Sequence, residues 1–505
     1  MIRSRIRSTK WNLFFHYYSI AFSVGWGFLL VPLYLKYIPL ETYGAWLATG
    51  NIVAWLTVVD PGISDVVRQQ VGRAYGAGEI HKLNDYLVSG TLLSFIVSLI
   101  ILLVGLFSSN FIIDLISITN LDSIIIIKNA FILALIGSSL LIFSFGFTSF
   151  SQGLLGSVGI GIVYVVATIV SLVINVVLLI KGYGLYSIPI SQIIRALILI
   201  AGNVSYIFWR YVQESIKFHF SIKGIFALTK LSGYNILGRL GSVISTQIDT
   251  FLVARYLGAE VAPILNLTKK GPELSRMFVE RPQIAMVPAI TNAWGSGEFD
   301  KVRSNTSRLF IIILWLLGLI FSGFIIFNKS FVSIWVGPNL YAGNSINILI
   351  CLAIIISVTV NVSSNIFFAL GNIKEASKIN FIQGIITVMA LYLGVKFFGL
   401  FGLVLAQIIS LLVYSAWYFP YKTLKFIKYD SLLLSHIKKE IALVCLISFV
   451  VIIIFVNLIQ VTTWISLIIF VLIVVLAYML SLFLFSKSFR TEVSAILIHL
   501  KMKHK

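Results

Sequence analysis

A charged stripe between residues 269 and 281 is the feature of this sequence best suited to chemistry. It consists of four charges spaced by four, three and four residues, namely Lys269, Glu273, Arg276 and Glu280. This spacing places them on one face of a helix, where each charge lies about one turn from a charge of opposite sign. Lys270 and Arg281 add two cations, so that four cations face two carboxylates and the segment nets +2. Clustered Arg and Lys side chains are suited to binding an anion, phosphate above all.

The stripe lies inside a predicted membrane span, residues 261–292. A charge inside a bilayer is costly, so such residues face a partner or a water-filled cavity. We therefore interpret the stripe as the cationic wall of a cavity. The alternative is a solvated helix in a loop or at a membrane end. Gly271-Pro272 offers a place to break or bend the helix.

Four further charges lie within predicted spans. They are Asp60 late in the second span, Arg195 in the sixth, and Arg239 and Asp249 in the seventh. With the stripe they give six cations against four carboxylates, again a net +2, which suits an anionic cargo. The candidate substrate-binding residues are Arg195, Arg239, Lys269, Lys270, Arg276 and Arg281, and the candidates for ion coupling or cavity ion pairs are Asp60, Asp249, Glu273 and Glu280.

Each of these charges has an alternative role in a structural ion pair. For Asp60, which precedes Pro61-Gly62, helix termination is the favoured interpretation.

The composition identifies the elements that must position these charges. Of 505 residues, 59% are hydrophobic and 11% are charged, against about 25% charged in soluble domains. At roughly 20 residues per span, the apolar content suffices for about 14 spans. The predicted class is an all-α polytopic membrane protein. Its predicted spans cover residues 13–35, 43–64, 86–108, 128–152, 158–180, 185–209, 231–254, 261–292, 308–328, 345–370, 378–397, 400–420, 441–459 and 463–485.

The basic residues predict the orientation. With both termini cytoplasmic, the inner loops and tails hold 26 Lys and Arg, against six on the outer side. The positive-inside rule therefore accounts for the net charge of +20, and nucleic-acid binding is not expected.

The chain also repeats itself. Ala74–Leu83 aligns with Ala293–Val302, and further along both halves Gly184-Leu185 aligns with Gly399-Leu400. Since six spans bring the chain back to its starting side, the two halves have the same orientation, as in parallel-repeat transporters with a cavity between the halves. We expect a six-helix lobe over residues 1–225, a second over 226–425, and a helix pair with a basic tail over 426–505.

Several functions are excluded or disfavoured. No Gly-Lys dipeptide occurs, so a P-loop is absent, and the predicted loops are too short for a glycosyltransferase domain. The six histidines are scattered, and the two cysteines, Cys351 and Cys445, lie in apolar runs. We expect no metal, no cofactor and no enzymatic activity.

Two stretches resemble a known family. Val31–Trp46, with its Leu-Tyr-Leu and Tyr-Gly-x-Trp strings, and Val58–Ser64, with Asp-x-Gly, are similar to the Wzx-type polysaccharide flippases. So is the Gly-Ala-Gly-Glu loop at 76–79. These flippases belong to the multidrug/oligosaccharidyl-lipid/polysaccharide (MOP) exporter superfamily, and the resemblance covers residues 10–420.

The resemblance implies two MATE-like lobes arranged in a V that open alternately to either side of the bacterial plasma membrane. The implied cargo is undecaprenyl-diphosphate-linked oligosaccharide for O-antigen or capsule synthesis. A polysaccharide polymerase, assembly proteins and membrane lipid are the implied partners. The cations best placed to line the cavity are Arg239, Lys269, Lys270, Arg276 and Arg281. The last two spans also resemble the added helices of peptidoglycan-precursor flippases.

Two alternatives remain open. A cation-coupled multidrug exporter of the same superfamily is disfavoured because the first span has no acidic residue. A membrane polysaccharide polymerase is disfavoured because every predicted outer loop is short, whereas such an enzyme is expected to carry a large basic loop on that side.

Overall fold

A computed structural model describes residues 25–58, 63–114, 121–154, 157–222, 225–226, 228–229, 248–428, 431–456 and 461–494. Within these ranges the chain is built from helices joined by short turns. The helices of the first part are α1 (25–37), α2 (Leu40–Val58), α3 (Ile63–Gly76), α4 (His81–Asp114), α5 (Leu121–Gly153), α6 (Ser157–Leu178), α7 (Ser187–Gln213) and α8 (248–256). Those of the second part are α9 (Val261–Val279), α10 (Arg281–Gly295), α11 (Phe299–Val336), α12 (Asn344–Ala369), α13 (Ile373–Val413), α14 (Ser415–Phe426), α15 (Ser431–Val456), α16 (Trp464–Phe485) and α17 (487–494).

The all-α membrane class is confirmed. Eight helical segments of the described residues are long and apolar enough to cross a bilayer. Two of them, Val158–Gln213 and Glu375–Phe426, are each long enough for two predicted spans. The eight segments therefore account for ten of the predicted spans, from 86–108 onward. Spans 13–35 and 231–254 lie largely outside the described residues.

The predicted span 261–292 differs from expectation. It forms two helices, α9 and α10, which meet at Glu280. Gly271-Pro272 offers a place to break or bend the helix, but no break occurs there, because α9 continues through Pro272 to Val279. Proline lacks only one backbone donor, and neighbouring helices in a membrane protein can satisfy the freed carbonyl. The chain instead restarts its helix at Arg281-Pro282, where proline is favoured at the first positions.

The internal repeat is visible in backbone geometry. In the first copy, Glu79 N donates to Ala74 O at 2.9 Å, and in the second Glu298 N donates to Ala293 O at the same distance. Gly78 and Gly297, at equivalent positions of the two turns, both have φ of 75°. The duplicated sequence therefore forms the same helix-turn-helix twice.

A second pair of equivalent glycines marks matching kinks. Gly184 follows α6 with φ 52° and ψ −125°, and Gly399 interrupts α13 with φ 61° and ψ −146°. Residues with a Cβ rarely adopt these backbone angles, so the glycines allow a tight helix-to-helix connection in both copies.

The chain forms two compact units, Met1–Pro263 and Ile264–Lys505. In the first unit, α5 packs against α2, α3, α4 and α7. One of its apolar clusters includes Val67, Leu83 and Phe150, all fully buried.

In the second unit, α11 packs against α10, α12, α15 and α16. Gly318 of α11 allows this close packing, because a Cβ there would lie 2.5 Å from a methyl of Val444 on α15. The two C-terminal spanning helices, α15 and α16, therefore pack against α11 and belong to the second unit.

Candidate functional site

Helix α9 carries the charged stripe, and its contacts match the sequence spacing. Lys269 Nζ lies 3.1 Å from Glu273 Oε1, and Arg276 Nε lies 3.0 Å from Glu280 Oε1. Both are pairs four residues apart on one helix face. The structure therefore orders the stripe as two consecutive ion pairs along the helix.

The stripe is accessible along part of its length. The side chains of Lys269, Arg276 and Glu280 are 13%, 28% and 24% exposed, and that of Glu273 is 47% exposed. Contact of an ionised carboxylate with hydrocarbon would be costly. An open, charged helix face within a predicted span therefore supports a water-filled surface.

Two cations of this segment have no ion-pair partner among the described residues. Lys270 and Arg281 are both partly exposed, and neither is within ion-pairing distance of a described carboxylate. With the two ion pairs electrically neutral, these two residues carry the net +2 of the segment. They are the groups best placed to bind an external anion.

Helix α12 contacts the break between α9 and α10 through two asparagines spaced by one turn. Asn361 Nδ2 donates to Glu280 Oε1 at 3.2 Å, and Asn365 Nδ2 donates to Gln283 Oε1 at 3.0 Å. These bonds fix Glu280 between Arg276 and α12. The sequence analysis does not single out either asparagine or Gln283, although two polar residues four apart in an apolar span are a signal for a polar contact between helices.

A buried amide network lies beside the start of the stripe. Asn328 Nδ2 donates to Thr268 O at 3.0 Å and to Asn347 Oδ1 at 2.6 Å. Thr268 Oγ1 accepts from Ala342 N at 2.9 Å. The network links α11 and α12 to the residue that precedes Lys269, and so holds the backbone of α9 at this level. It too was missed from the sequence.

The first unit holds Arg195 and Asp249. The Arg195 guanidinium donates to the hydroxyl of Tyr164 at 3.1 Å, and its centre lies 5.3 Å from that ring. Its Nε is buried without a hydrogen-bond partner among the described residues. The guanidinium of Arg195 is thus held against an aromatic ring.

Asp249 is only 5% exposed, and its Oδ1 accepts from the backbone N of Thr250 at 2.7 Å. Arg239 and Asp60 lie outside the described residues, so their predicted roles stay predictions. The structure brings the six charges of α9 and α10 together on adjoining helices, and it places Arg195 and Asp249 in the other unit.

One buried carboxylate lies away from this segment. Glu440 of α15 is 6% exposed and accepts hydrogen bonds from Trp315, Ser486 and Ser488, the last at 2.7 Å. Its position just before a long apolar run was not singled out from the sequence. It joins α15 to α11 and to the residues that follow α16.

No cluster of three or more His, Cys, Asp or Glu that could hold a metal ion occurs in the described part of the chain. Residues 269–281 instead combine the two ion pairs of the stripe with two further cations, Lys270 and Arg281, which no described carboxylate pairs. This arrangement can bind a mobile anion.

A multi-pass helical bundle with a duplicated helix-turn-helix and an open cationic helix face defines a class, the polytopic helical membrane proteins. Comparison with known proteins supports this class. Residues 10–294, more than half of the chain, match the family model described as polysaccharide biosynthesis protein. The chain belongs to this family, and it shares its fold with a MATE transporter of the MOP superfamily.

One curated relative is the uncharacterized membrane protein EpsK of Bacillus subtilis (strain 168), 23% identical over 404 residues, which are 77% of this chain and 78% of EpsK. The fold is similar to that of the lipid II flippase MurJ in an inward closed conformation, with a TM-score of 0.67 and 15% identity, covering 94% of this chain and 98% of MurJ. It is also similar to an inward-facing multidrug resistance MATE family transporter of the MOP superfamily, with a TM-score of 0.63 and 13% identity, covering 79% and 94% of the two chains. At these identities the two structures establish the shared fold.

Proposed function

We propose that this protein is a flippase that moves undecaprenyl-diphosphate-linked oligosaccharide across the bacterial plasma membrane for surface polysaccharide synthesis. The observation that carries the proposal is the partly exposed positive charge of Lys270 and Arg281, which no described carboxylate neutralises. A diphosphate is the anionic part of such a cargo, and guanidinium and ammonium groups bind it through charge-assisted hydrogen bonds. The family match to polysaccharide biosynthesis proteins supports the same cargo class.

The ion pairs of α9 have a supporting role in this proposal. They hold four charges in fixed positions with no net charge, so that the diphosphate is attracted to Lys270 and Arg281. Arg195 and Arg239 are proposed to add positive charge along the path. The polyprenyl tail stays in the lipid, and no covalent bond is formed or broken.

Transport is proposed to occur by alternating access, with two six-helix lobes rocking between inward-open and outward-open states. Any coupling to a downhill ion needs a group that changes its protonation or binds a cation. Glu273, Glu280 and Asp249 are the described candidates, and Asp60 is a further one. Of these, Glu273 has the most exposed carboxylate of the stripe.

The orientation proposed is with both termini in the cytoplasm, because the positive-inside rule places the basic loops there. In this orientation the duplicated turns at 76–79 and 295–298 face the cytoplasm. A polysaccharide polymerase and assembly proteins would receive the translocated cargo on the outer side.

The test is export of a surface glycan in a deletion strain, scored together with the lipid-linked repeat units on the inner leaflet. The expected result is loss of the glycan and accumulation of inner-leaflet units, both reversed by the wild-type gene. If the units reach the outer face but remain unpolymerised, the protein acts as a polymerase and the proposal fails. Unchanged glycan together with sensitivity to lipophilic cations would identify a drug exporter.

A further inference from the structure

A groove of about 770 Å³ opens on the first unit. It is formed by the first third of α4, the later part of α5, the end of α7 and the segment that follows α7. Six phenylalanines contribute to its lining, namely Phe95, Phe143, Phe147, Phe208, Phe218 and Phe220. Its volume lies within the range of roughly 300–1,000 Å³ typical of small-molecule sites.

The groove has a fixed floor and an open side. Ile207 and Tyr211 of α7 are each 7% exposed and belong to the buried apolar cluster beneath it. Phe208 and Phe220, in contrast, are 72% and 74% exposed. An apolar channel that is open along one side in a membrane protein is accessible to lipid hydrocarbon.

The length of the groove along α4 is close to the hydrocarbon thickness of one leaflet. Along α4 it extends from Leu87 to Phe95, which at about 1.5 Å per residue is roughly 12 Å of helix. Half of a hydrocarbon core of about 30 Å is roughly 15 Å. The groove therefore begins a few residues from the polar turn before α4, and its length along the helix is close to the thickness of one leaflet.

A cation lies at the polar end of the groove. Lys217 lines the groove and has no ion-pair partner among the described residues, whereas Arg210, seven residues earlier in the chain, is paired with Glu214 at 2.6 Å. The backbone of Lys217 is fixed, because Asn84 Nδ2 on α4 donates to Lys217 O at 3.0 Å. An exposed lysine at this level attracts anionic headgroups.

The apolar lining and the cation correspond to the two parts of a lipid. The phenylalanines form a channel suited to an acyl chain, and the exposed ammonium of Lys217 is suited to an anionic headgroup.

We propose that this groove is a binding site for one anionic glycerophospholipid of the adjacent leaflet, with an acyl chain between the phenylalanines and its phosphate at Lys217. The site is distinct from the one proposed for the cargo, since none of the residues that line the groove is among those proposed above to bind the cargo.

The test uses the purified full-length protein, delipidated and titrated with phosphatidylglycerol or phosphatidylcholine of identical chains, with bound lipid counted by native mass spectrometry. We expect one molecule of phosphatidylglycerol per protein to bind more tightly than further phosphatidylglycerol molecules and more tightly than phosphatidylcholine. Lys217→Gln should weaken that binding about fivefold, the effect of one basic residue near an anionic headgroup, and leave phosphatidylcholine binding unchanged. Lys428→Gln, which removes an exposed lysine just after α14, is the matched control and should change neither.

A second pair of variants tests the groove itself. Val204→Trp places a large side chain at its open edge and should abolish the tight site, whereas Val166→Trp, at a valine of similar exposure on α6 outside the groove, should retain it. Equal binding by both tryptophan variants would show only annular lipid and overturn the proposal. A polyprenyl phosphate that displaces phosphatidylglycerol from the site at equal concentration would also overturn it, by assigning the groove to the cargo.

Discussion

At the scale of single residues, the cations between residues 269 and 281 have two different environments: two are paired with a carboxylate and two are not. Lys269 and Arg276 each have a carboxylate within 3.1 Å, whereas Lys270 and Arg281 have none among the described residues. An anion that binds to a paired cation must compete with its carboxylate. Lys270 and Arg281 are therefore expected to dominate binding of the diphosphate.

The first prediction compares these environments. Lys270→Gln and Arg281→Gln should each lower transport ten- to a hundredfold, because a hydrogen bond to a charged group contributes about 1.5–3 kcal/mol. The measurement is glycan export in the complemented deletion strain, normalised to the amount of protein in the membrane. The double variant Lys269→Gln/Glu273→Gln keeps the net charge and is the control, with less than a threefold effect expected. A larger loss in the double variant than in Lys270→Gln would contradict this assignment.

The second prediction concerns the buried carboxylate of Glu440. Glu440→Ala removes the acceptor of three side-chain donors and should lower the free energy of unfolding by about 1–3 kcal/mol for each donor left unpaired. Thermal unfolding in detergent measures the change. Glu492→Gln, which breaks the partly exposed pair with Arg308, is the control and should cost about 1 kcal/mol or less. Equal melting temperatures for the two variants would show that Glu440 does not join α15 to α11.

Sequence spacing predicted the paired charges at this scale because helical periodicity fixes which residues are neighbours. It did not predict Asn361, Asn365 or the Asn328 network. These contacts join helices that are distant in sequence, and periodicity within one span carries no information on which face meets which neighbour.

At the scale of elements, the duplicated turns are the clearest local signal. In each turn a lysine three residues after a glutamate pairs with it, Lys82 with Glu79 and Lys301 with Glu298. The hydrogen bond from the lysine lowers the pKa of each glutamate below its ordinary value. The same electrostatic arrangement is therefore present in both copies.

The third prediction follows from that shift. A carboxyl whose pKa is lower in the folded state stabilises the fold above its unfolded pKa of about 4.3, and this contribution is lost as the pH falls through the folded value. Glu298→Gln should therefore melt slightly below wild type at pH 7 and equally at about pH 3. Lys301→Gln should reproduce the difference at pH 7. A gap between wild type and Glu298→Gln that widens on acidification would contradict the pairing.

The position of the break in the eighth predicted span could not be read from the sequence. Gly271-Pro272 is the stronger local breaker, yet α9 ends at Val279, next to Glu280, whose carboxylate accepts from Arg276 and Asn361. The contact with Asn361 joins segments 81 residues apart, so it cannot be read from the local sequence. The consequence for the site is that Arg281 begins a new helix and is not the last residue of the stripe.

At the scale of the whole molecule, composition alone was sufficient to identify a polytopic helical protein. The internal duplication predicted the equivalent turns and kinks, because identical backbone requirements at glycine recur in both copies. Topology relative to the membrane stays a prediction, since it depends on the charge distribution of the loops and not on helix packing.

The fourth prediction also belongs to this scale. The basic loops are expected to face the cytoplasm, so a cysteine introduced by Ser296→Cys in the turn before α11 should react with a membrane-impermeant maleimide only after the cells are opened. Asp122→Cys, at the exposed start of α5, is the comparison on the predicted outer side and should react in intact cells. The next residue, Ser123, is buried and is not suitable for labelling. Labelling of Ser296→Cys in intact cells would reverse the assigned orientation.

The central claim is that the protein translocates a lipid-linked oligosaccharide by means of cations on α9 and α10 that no described carboxylate pairs. The most direct measurement is translocation of undecaprenyl-diphosphate-linked oligosaccharide in proteoliposomes, followed by the access of an external glycosidase to the sugar. Wild-type protein should bring cargo from the inner to the outer leaflet, and the Lys270→Gln/Arg281→Gln variant, reconstituted to the same density, should be reduced to the rate of protein-free vesicles. Equal translocation by the wild type and the double variant would contradict the claim.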